Sequence, residues 1–172
     1  KEQGRNTYQF YTEGMQDREV MRLELDKDLN HALANDEFVL YFQPQLDLND
    51  SSINSVEALI RWQHPRRGLL PPVDFIPLAE ESGRITDIGR WVVMAACRQL
   101  AKWQKGPYSH LRIAVNLSGR ELDDESIVDH IQEALEEIDV VPGPGGRFGV
   151  VLDGQDRILP VGDALDGAVV EV

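Results

Sequence analysis

Two apolar runs, "FVLYFQPQLDL" at 38–48 and "INSVEALIRW" at 53–62, are separated only by "NDSS" at 49–52. Both runs are rich in aromatic and β-branched residues, as strands are, and Asn-Asp-Ser-Ser is a turn signal. A parallel crossover takes a dozen or more residues. The two strands must therefore run antiparallel as a hairpin, and any fold for this chain has to be built around that pair.

The flanking segments supply helices. In "DREVMRLELDKDLNHALAND", Val20, Leu23, Leu29 and Leu33 recur near helical spacing, which predicts a helix over about 18–34. "HPRRGLLPP" reads as a Pro- and Gly-rich loop. A short helix follows at about 73–82, closed by Gly83 as its C-terminal cap. "TDIGRWVVMAACRQLAKWQKG" is the clearest helix, with Thr86 or Asp87 as its cap and Ile88, Trp91, Val92, Ala95, Leu100 and Trp103 as its stripe. "LRIAVNLS" at 111–118 is a strand. Ser118 and Glu121 then fit a capping box before a helix carrying Leu122, Ile127, Ile131 and Leu135. The order strand, strand, helix, helix, strand, helix predicts an α/β layer or barrel. From Val140 onward Gly and Asp are frequent, two or three short Val-rich strand candidates occur, and no amphipathic helix is visible.

Composition narrows the function classes. The chain has 172 residues, 42% of them hydrophobic, enough for one globular domain with a sizeable core. Lys and Arg number 17 against 30 Asp and Glu, a net charge of −13, which disfavours DNA, RNA and anionic membrane as partners. No apolar run approaches the roughly 20 residues that span a bilayer. The single cysteine, Cys97, excludes an internal disulfide, sits in an apolar helical pattern and reads as a core residue. One free cysteine suits a reducing, cytoplasmic setting. The chain begins with Lys1 and not Met, and reads as cut from a longer protein.

Polar residues inside strands need a reason. On a strand alternate residues share a face, so Glu57, Leu59 and Arg61 point one way and Val56, Ala58, Ile60 and Trp62 the other. Gln43 lies on the hairpin partner, and Asn116 stands near the carboxyl end of the strand at 111–118, where α/β folds bind ligands. Glu57 and Asn116 offer hard oxygen donors, suited to Mg²⁺, Mn²⁺ or Ca²⁺ rather than zinc. Spacing alone is also satisfied by a structural Glu57–Arg61 ion pair, by Asn116 opening the turn into the next helix, and by Gln43 as an ordinary strand-end residue. His64, in a loop with no second histidine close by, reads as structural.

The strings "YFQPQLDL", "VEALIRWQHPRRGLLPPVDFIPLAEESGRI", "IGRWVVMAAC" and "IAVNLSGREL" resemble the EAL family of cyclic di-GMP phosphodiesterases, with the signature Glu-Ala-Leu at 57–59. "KEQGRNTYQFY" resembles the closing stretch of a GGDEF (diguanylate cyclase) domain. The resemblance divides the chain into a GGDEF remnant at 1–12, a linker helix at 13–34, the N-terminal half of an EAL domain at 35–139 and a divergent tail at 140–172. It implies a partial TIM-type (β/α) barrel with its first strand antiparallel. The implied reaction is hydrolysis of cyclic di-GMP to linear pGpG with two Mg²⁺ or Mn²⁺ ions. Under it Glu57 and Asn116 would ligate metal, Arg61 would pair with a substrate phosphate, Gln43 would contact the guanine or ribose side, and Leu59 and Pro71 would line the pocket. It further implies an upstream GGDEF or sensor domain, a membrane anchor in the parent protein, and EAL homodimers.

The resemblance stops near Ile138. The family's later Glu strand, Asp-Asp-Phe-Gly strand end, catalytic Lys, and final Glu and Gln have no counterparts. Lys105 is the last lysine in the chain, and Asp153 and Asp156 stand in no family context. The expectation is that these residues do not complete hydrolysis by themselves. The alternative is a non-catalytic module that binds cyclic di-GMP or a partner protein.

Overall fold

The computed structural model describes residues 13–119, 126–138, 148–152 and 155–161. The elements, in order, are α1 (Glu13–Ala32), β1 (Phe38–Leu46), β2 (Ile53–His64), β3 (Gly68–Leu70), α2 (Pro72–Glu81), α3 (Ile85–Gln104), β4 (Arg112–Leu117), α4 (Ser126–Glu137), β5 (Phe148–Leu152) and β6 (Gln155–Val161). The GGDEF-like stretch at 1–12 lies outside the described residues.

One sheet carries the architecture. Its strand order is β1-β2-β4-β5-β6, with β3 on the far end of β2. β1 and β2 are antiparallel, as the short turn demands, with Phe38 opposite Trp62 and Gln43 opposite Glu57. β2 and β4 are parallel, joined across α2 and α3. β5 continues the parallel order beside β4, and β6 turns back antiparallel on β5. The described strands thus form an open sheet, with β1 at one end and β6 at the other.

The hairpin turn is held by its own polar residues. Asp47 Oδ1 accepts from the backbone and side chain of Asn49, and Asp50 Oδ1 accepts from the Ser52 amide. Hydrogen bonds from Ser52 hold the Asp50 carboxyl below its usual range.

Alternation decides which face is covered. Val56, Ala58 and Trp62 of β2 and Ile113, Val115 and Leu117 of β4 are buried beneath the helices. Phe38, Trp62, Phe75 and Trp91 meet as tilted or edge-on rings 5.6–5.9 Å apart, an arrangement favoured by ring quadrupoles. The one polar atom of Trp62, Nε1, donates to Glu37 Oε2 at 2.9 Å. Cys97 is fully buried in α3, and loss of water around it pushes its thiol up to about 12. It is a core residue.

Several local readings are corrected. "HPRRGLLPP" is not all loop: β2 runs on to His64, the chain turns at 65–67, and Gly68–Leu70 pairs back as β3. The buried stripe of α1 is Leu25, Leu29 and Ala32, at i, i+4 and i+7, whereas Val20 and Leu23 are exposed. Neither Thr86 nor Asp87 caps α3. The helix starts at Ile85 with Arg84 at the N-cap and no side-chain cap bond. The reason is the turn before it. Gly83, at φ +74°, donates to Glu80 O, and Arg84 donates to Ala79 O, the paired bonds of a Schellman motif that closes α2. Arg84 therefore ends one helix and opens the next, which leaves no place for a separate cap. Asp87 lies in the first turn, where a negative charge suits the helix dipole. Ser118 precedes the next helical stretch, and its proposed partner Glu121 lies outside the described residues.

Candidate functional site

The face of the hairpin turned away from the core carries the polar residues. Directly opposed residues of antiparallel strands share a face. The pairs Val39–Arg61, Tyr41–Leu59 and Gln43–Glu57 therefore form successive rungs on one side. Glu57 is paired across β2–β4 with Ala114, so Asn116, two residues on, lies on that same side. There Asn116 Nδ2 donates to Glu57 Oε1 at 2.6 Å. The structure thus brings Gln43, Glu57 and Asn116 together across three neighbouring strands.

Arg61 stands two rungs along the same face from Glu57. Its Nη1 donates to the Ile60 carbonyl at 2.8 Å, and its guanidinium carbon lies 5.7 Å from the centre of the Tyr41 ring. It does not form the ion pair with Glu57 that spacing alone permitted: among the described residues, no salt bridge involves either side chain. The acid and the base share a face without neutralising each other.

A cleft of about 460 Å³ opens between α2, the start of α3, the middle of β2 and the end of β4, and of the polar residues Gln43, Glu57, Arg61 and Asn116 only Asn116 borders it. Leu59 and Asn116 line it together with Pro72, Ile76 and Ile88. Pro71 is the exposed N-cap residue of α2, and Pro72, next to it, stands in the wall. Tyr41 escaped the sequence reading. The signal for it was present: once the hairpin register is fixed, Tyr41 lies on the diagonal to Arg61, within reach of an aromatic ring.

His64 has another task. It is buried, its Nδ1 accepts from the Arg66 backbone N–H at 3.1 Å, and its Nε2 lies 3.0 Å from Asp28 Oδ2. With Nδ1 occupied as an acceptor, Nε2 carries the proton and donates to Asp28. Arg66 also donates to Asp28, and Arg67 donates to Glu24 at 2.6 Å. Arg22 pairs with Glu81. These contacts fasten α1 to the body of the domain. His64 is structural, as the sequence implied.

Fit to a metal can be judged from the donors. Glu57 and Asn116 supply a carboxylate and an amide oxygen, both hard donors. Mg²⁺ is commonly held by one or two such protein groups, with waters and substrate phosphate completing six positions. The pair therefore fits one divalent cation. Among the described residues no group of three or more His, Cys, Asp or Glu could hold a metal, so the donors for a second ion are not assembled there. Among the same residues no helix is long and apolar enough to cross a membrane.

Comparison with known proteins places these features. The family model described as "EAL domain" matches residues 26–143. Over 139 residues the chain is 45% identical to the cyclic di-GMP phosphodiesterase PdeR of Escherichia coli, which covers 80% of this chain and 21% of that protein. Over 135 residues it is 42% identical to MucR of Pseudomonas aeruginosa, a bifunctional diguanylate cyclase/cyclic di-GMP phosphodiesterase, covering 78% and 20%. The solved PaMucR phosphodiesterase in complex with c-di-GMP superposes with a TM-score of 0.69 at 38% identity, over 74% of this chain and 50% of that one. The Xanthomonas citri FimX EAL domain in complex with c-di-GMP gives 0.66 at 28% identity, over 80% and 51%. The chain spans about a fifth of these curated relatives and about half of these solved structures.

Proposed function

Because this chain belongs to the EAL domain family, we propose that it acts in cyclic di-GMP signalling, as part of a phosphodiesterase domain that hydrolyses cyclic di-GMP to linear pGpG. The observation that carries the reading is the 2.6 Å Asn116–Glu57 hydrogen bond, on a strand face that also bears Gln43 and Arg61. The fold, an α/β sheet with an antiparallel first strand, is that of EAL structures and corresponds to part of a TIM-type barrel.

The roles follow from chemistry. A phosphodiester resists attack because its charge repels a nucleophile. Members of the family are divalent-metal dependent, and such a metal neutralises phosphate charge and acidifies bound water. Glu57 and Asn116 would hold the cation. Arg61 offers a planar fork of N–H donors that matches two phosphate oxygens. Gln43, directly opposite Glu57, would hydrogen-bond the guanine or ribose side, and Leu59 and the Pro71–Pro72 corner would pack against the ligand. Keeping Glu57 and Arg61 apart serves both tasks, since one holds the cation and the other the anion.

In this reading 35–139 is the family portion, α1 leads into it from an upstream GGDEF or sensor domain, and the parent protein works in the cytoplasm and pairs through its EAL domain. The 172 residues bind the dinucleotide but do not complete its hydrolysis. A second, non-catalytic reading, as a module that only binds cyclic di-GMP, is favoured by one observation: among the described residues Glu57 and Asn116 are the only acidic or amide pair joined across β2 and β4 on that face. Two measurements test these readings. Calorimetry with cyclic di-GMP and Ca²⁺ should show saturable binding that Arg61→Ala weakens; no binding would sink both. Incubation with cyclic di-GMP and Mn²⁺ should yield no pGpG. Product that vanishes with Glu57→Ala would make the chain an enzyme on its own.

A further inference from the structure

Tyr41 lies opposite Leu59, and Arg61 lies opposite Val39, so tyrosine and arginine occupy diagonal positions of the hairpin on its open face. The ring centre is 5.7 Å from the guanidinium carbon, within the range where an aromatic quadrupole attracts a cation. Tyr41 is 49% exposed, and its body is not spent on the hydrophobic core. The same guanidinium donates from Nη1 to the Ile60 carbonyl. Two different contacts thus converge on one side chain.

We propose that Tyr41 is a positioning residue: its ring holds the Arg61 guanidinium so that the remaining N–H edge faces an incoming phosphate. This rests on the reading of Arg61 given above. The geometry makes the two uses compatible. A ring engages the face of a guanidinium, whereas a phosphate engages its edge through in-plane N–H donors. An unrestrained arginine gives up much rotamer freedom when it binds an anion. An arginine already leaning on a ring and tethered to a carbonyl gives up less, so its phosphate contact comes with less loss of affinity. The hydroxyl of Tyr41 has no part in this, so phenylalanine should do the same work.

The test uses the full chain with Tyr41→Phe, Tyr41→Leu, Arg61→Ala and the double variant Tyr41→Leu/Arg61→Ala. NMR follows the Arg61 Nε–Hε order parameter and its shift during titration with inorganic phosphate. Calorimetry follows cyclic di-GMP in Ca²⁺. Tyr41→Phe should match the parent in all three. Tyr41→Leu should lower the order parameter, raise the phosphate concentration needed, and weaken cyclic di-GMP binding about two- to fivefold, as expected for a partly exposed cation–π contact. In the Arg61→Ala background the same change should have no further effect. The inference is overturned if Tyr41→Leu leaves the Arg61 signals unchanged, or if it weakens ligand binding equally with and without Arg61. Failure of the parent chain to bind cyclic di-GMP would remove the phosphodiesterase reading, while the Arg61 order parameter and the phosphate titration would still decide the role of Tyr41.

Discussion

Asn116, near the carboxyl end of β4, donates to the Glu57 carboxylate in the middle of β2, and both face away from the core. The bond fixes two hard donors side by side. Removing either should cost divalent-cation affinity and leave the fold intact, because neither side chain belongs to the buried core. Asn116→Ala is expected to weaken Mn²⁺ binding by about tenfold and Glu57→Gln by more, in line with losses seen when metal-site partners are removed. Calorimetric titration with Mn²⁺, with thermal unfolding as a control, checks this. Unchanged affinity in both variants would place the cation elsewhere.

Gly83 tests the junction between α2 and α3. Its φ of +74° lies in the left-handed region, and a Cβ placed there would meet nothing within 4 Å. Any cost of Gly83→Ala is therefore backbone strain alone, about 1–2 kcal/mol. Urea unfolding should show a lower midpoint with an unchanged slope. A neutral result would mean that the α2–α3 turn relaxes to a different conformation in solution.

Cys97 gives a prediction in alkali. Its thiol, ordinarily near 9.0, is raised to about 12 by burial. Between these values the unfolded chain has released the proton and the folded chain still holds it, so stability is full below about pH 9 and declines as pH rises toward 12. Denaturant unfolding at pH 8 and pH 10 should show the loss, and Cys97→Ala should lack this part of it. The native thiol should also resist iodoacetamide at pH 8 until denaturant is added.

The legibility of the sequence differed from element to element. The hairpin was readable because four residues cannot hold a crossover, and the exposed face of β2 was readable because strand alternation has a period of two. α3 was readable from its apolar stripe. β3 was not, since Pro65, Arg66, Arg67 and Gly68 spell a loop and three residues show no period. α1 misled because its leucines offer two possible stripes. Charged contacts to Arg66, Arg67 and Glu81, distant in sequence, accompany the face that docks. The Tyr41–Arg61 contact was hidden for a related reason: it lies in the register, not in any one strand. The family strings marked Gln43, Glu57, Leu59, Arg61 and Asn116, and only the coordinates showed that Glu57 and Arg61 stay unpaired with each other.

Asp28 is where that docking of α1 can be measured. Burial pulls its carboxyl upward, but the side-chain hydrogen bonds from Arg66 and His64 outweigh it, and the net shift is below the ordinary 3.8. A carboxylate with a depressed folded value stabilises the protein above its unfolded value and loses that contribution as pH falls through the folded one. Asp28→Asn removes the charge that Arg66 and His64 address, at a cost of about 1 kcal/mol, since one side of the cluster is open to solvent. The difference between parent and variant should be full at pH 6 and should narrow as the pH is lowered past 3.8. Hydrogen exchange of α1 amides should quicken in the variant while that of α3 stays unchanged. Unchanged α1 exchange in the variant would mean that the apolar contacts of Leu25, Leu29 and Ala32 hold α1 without help from the ion pairs.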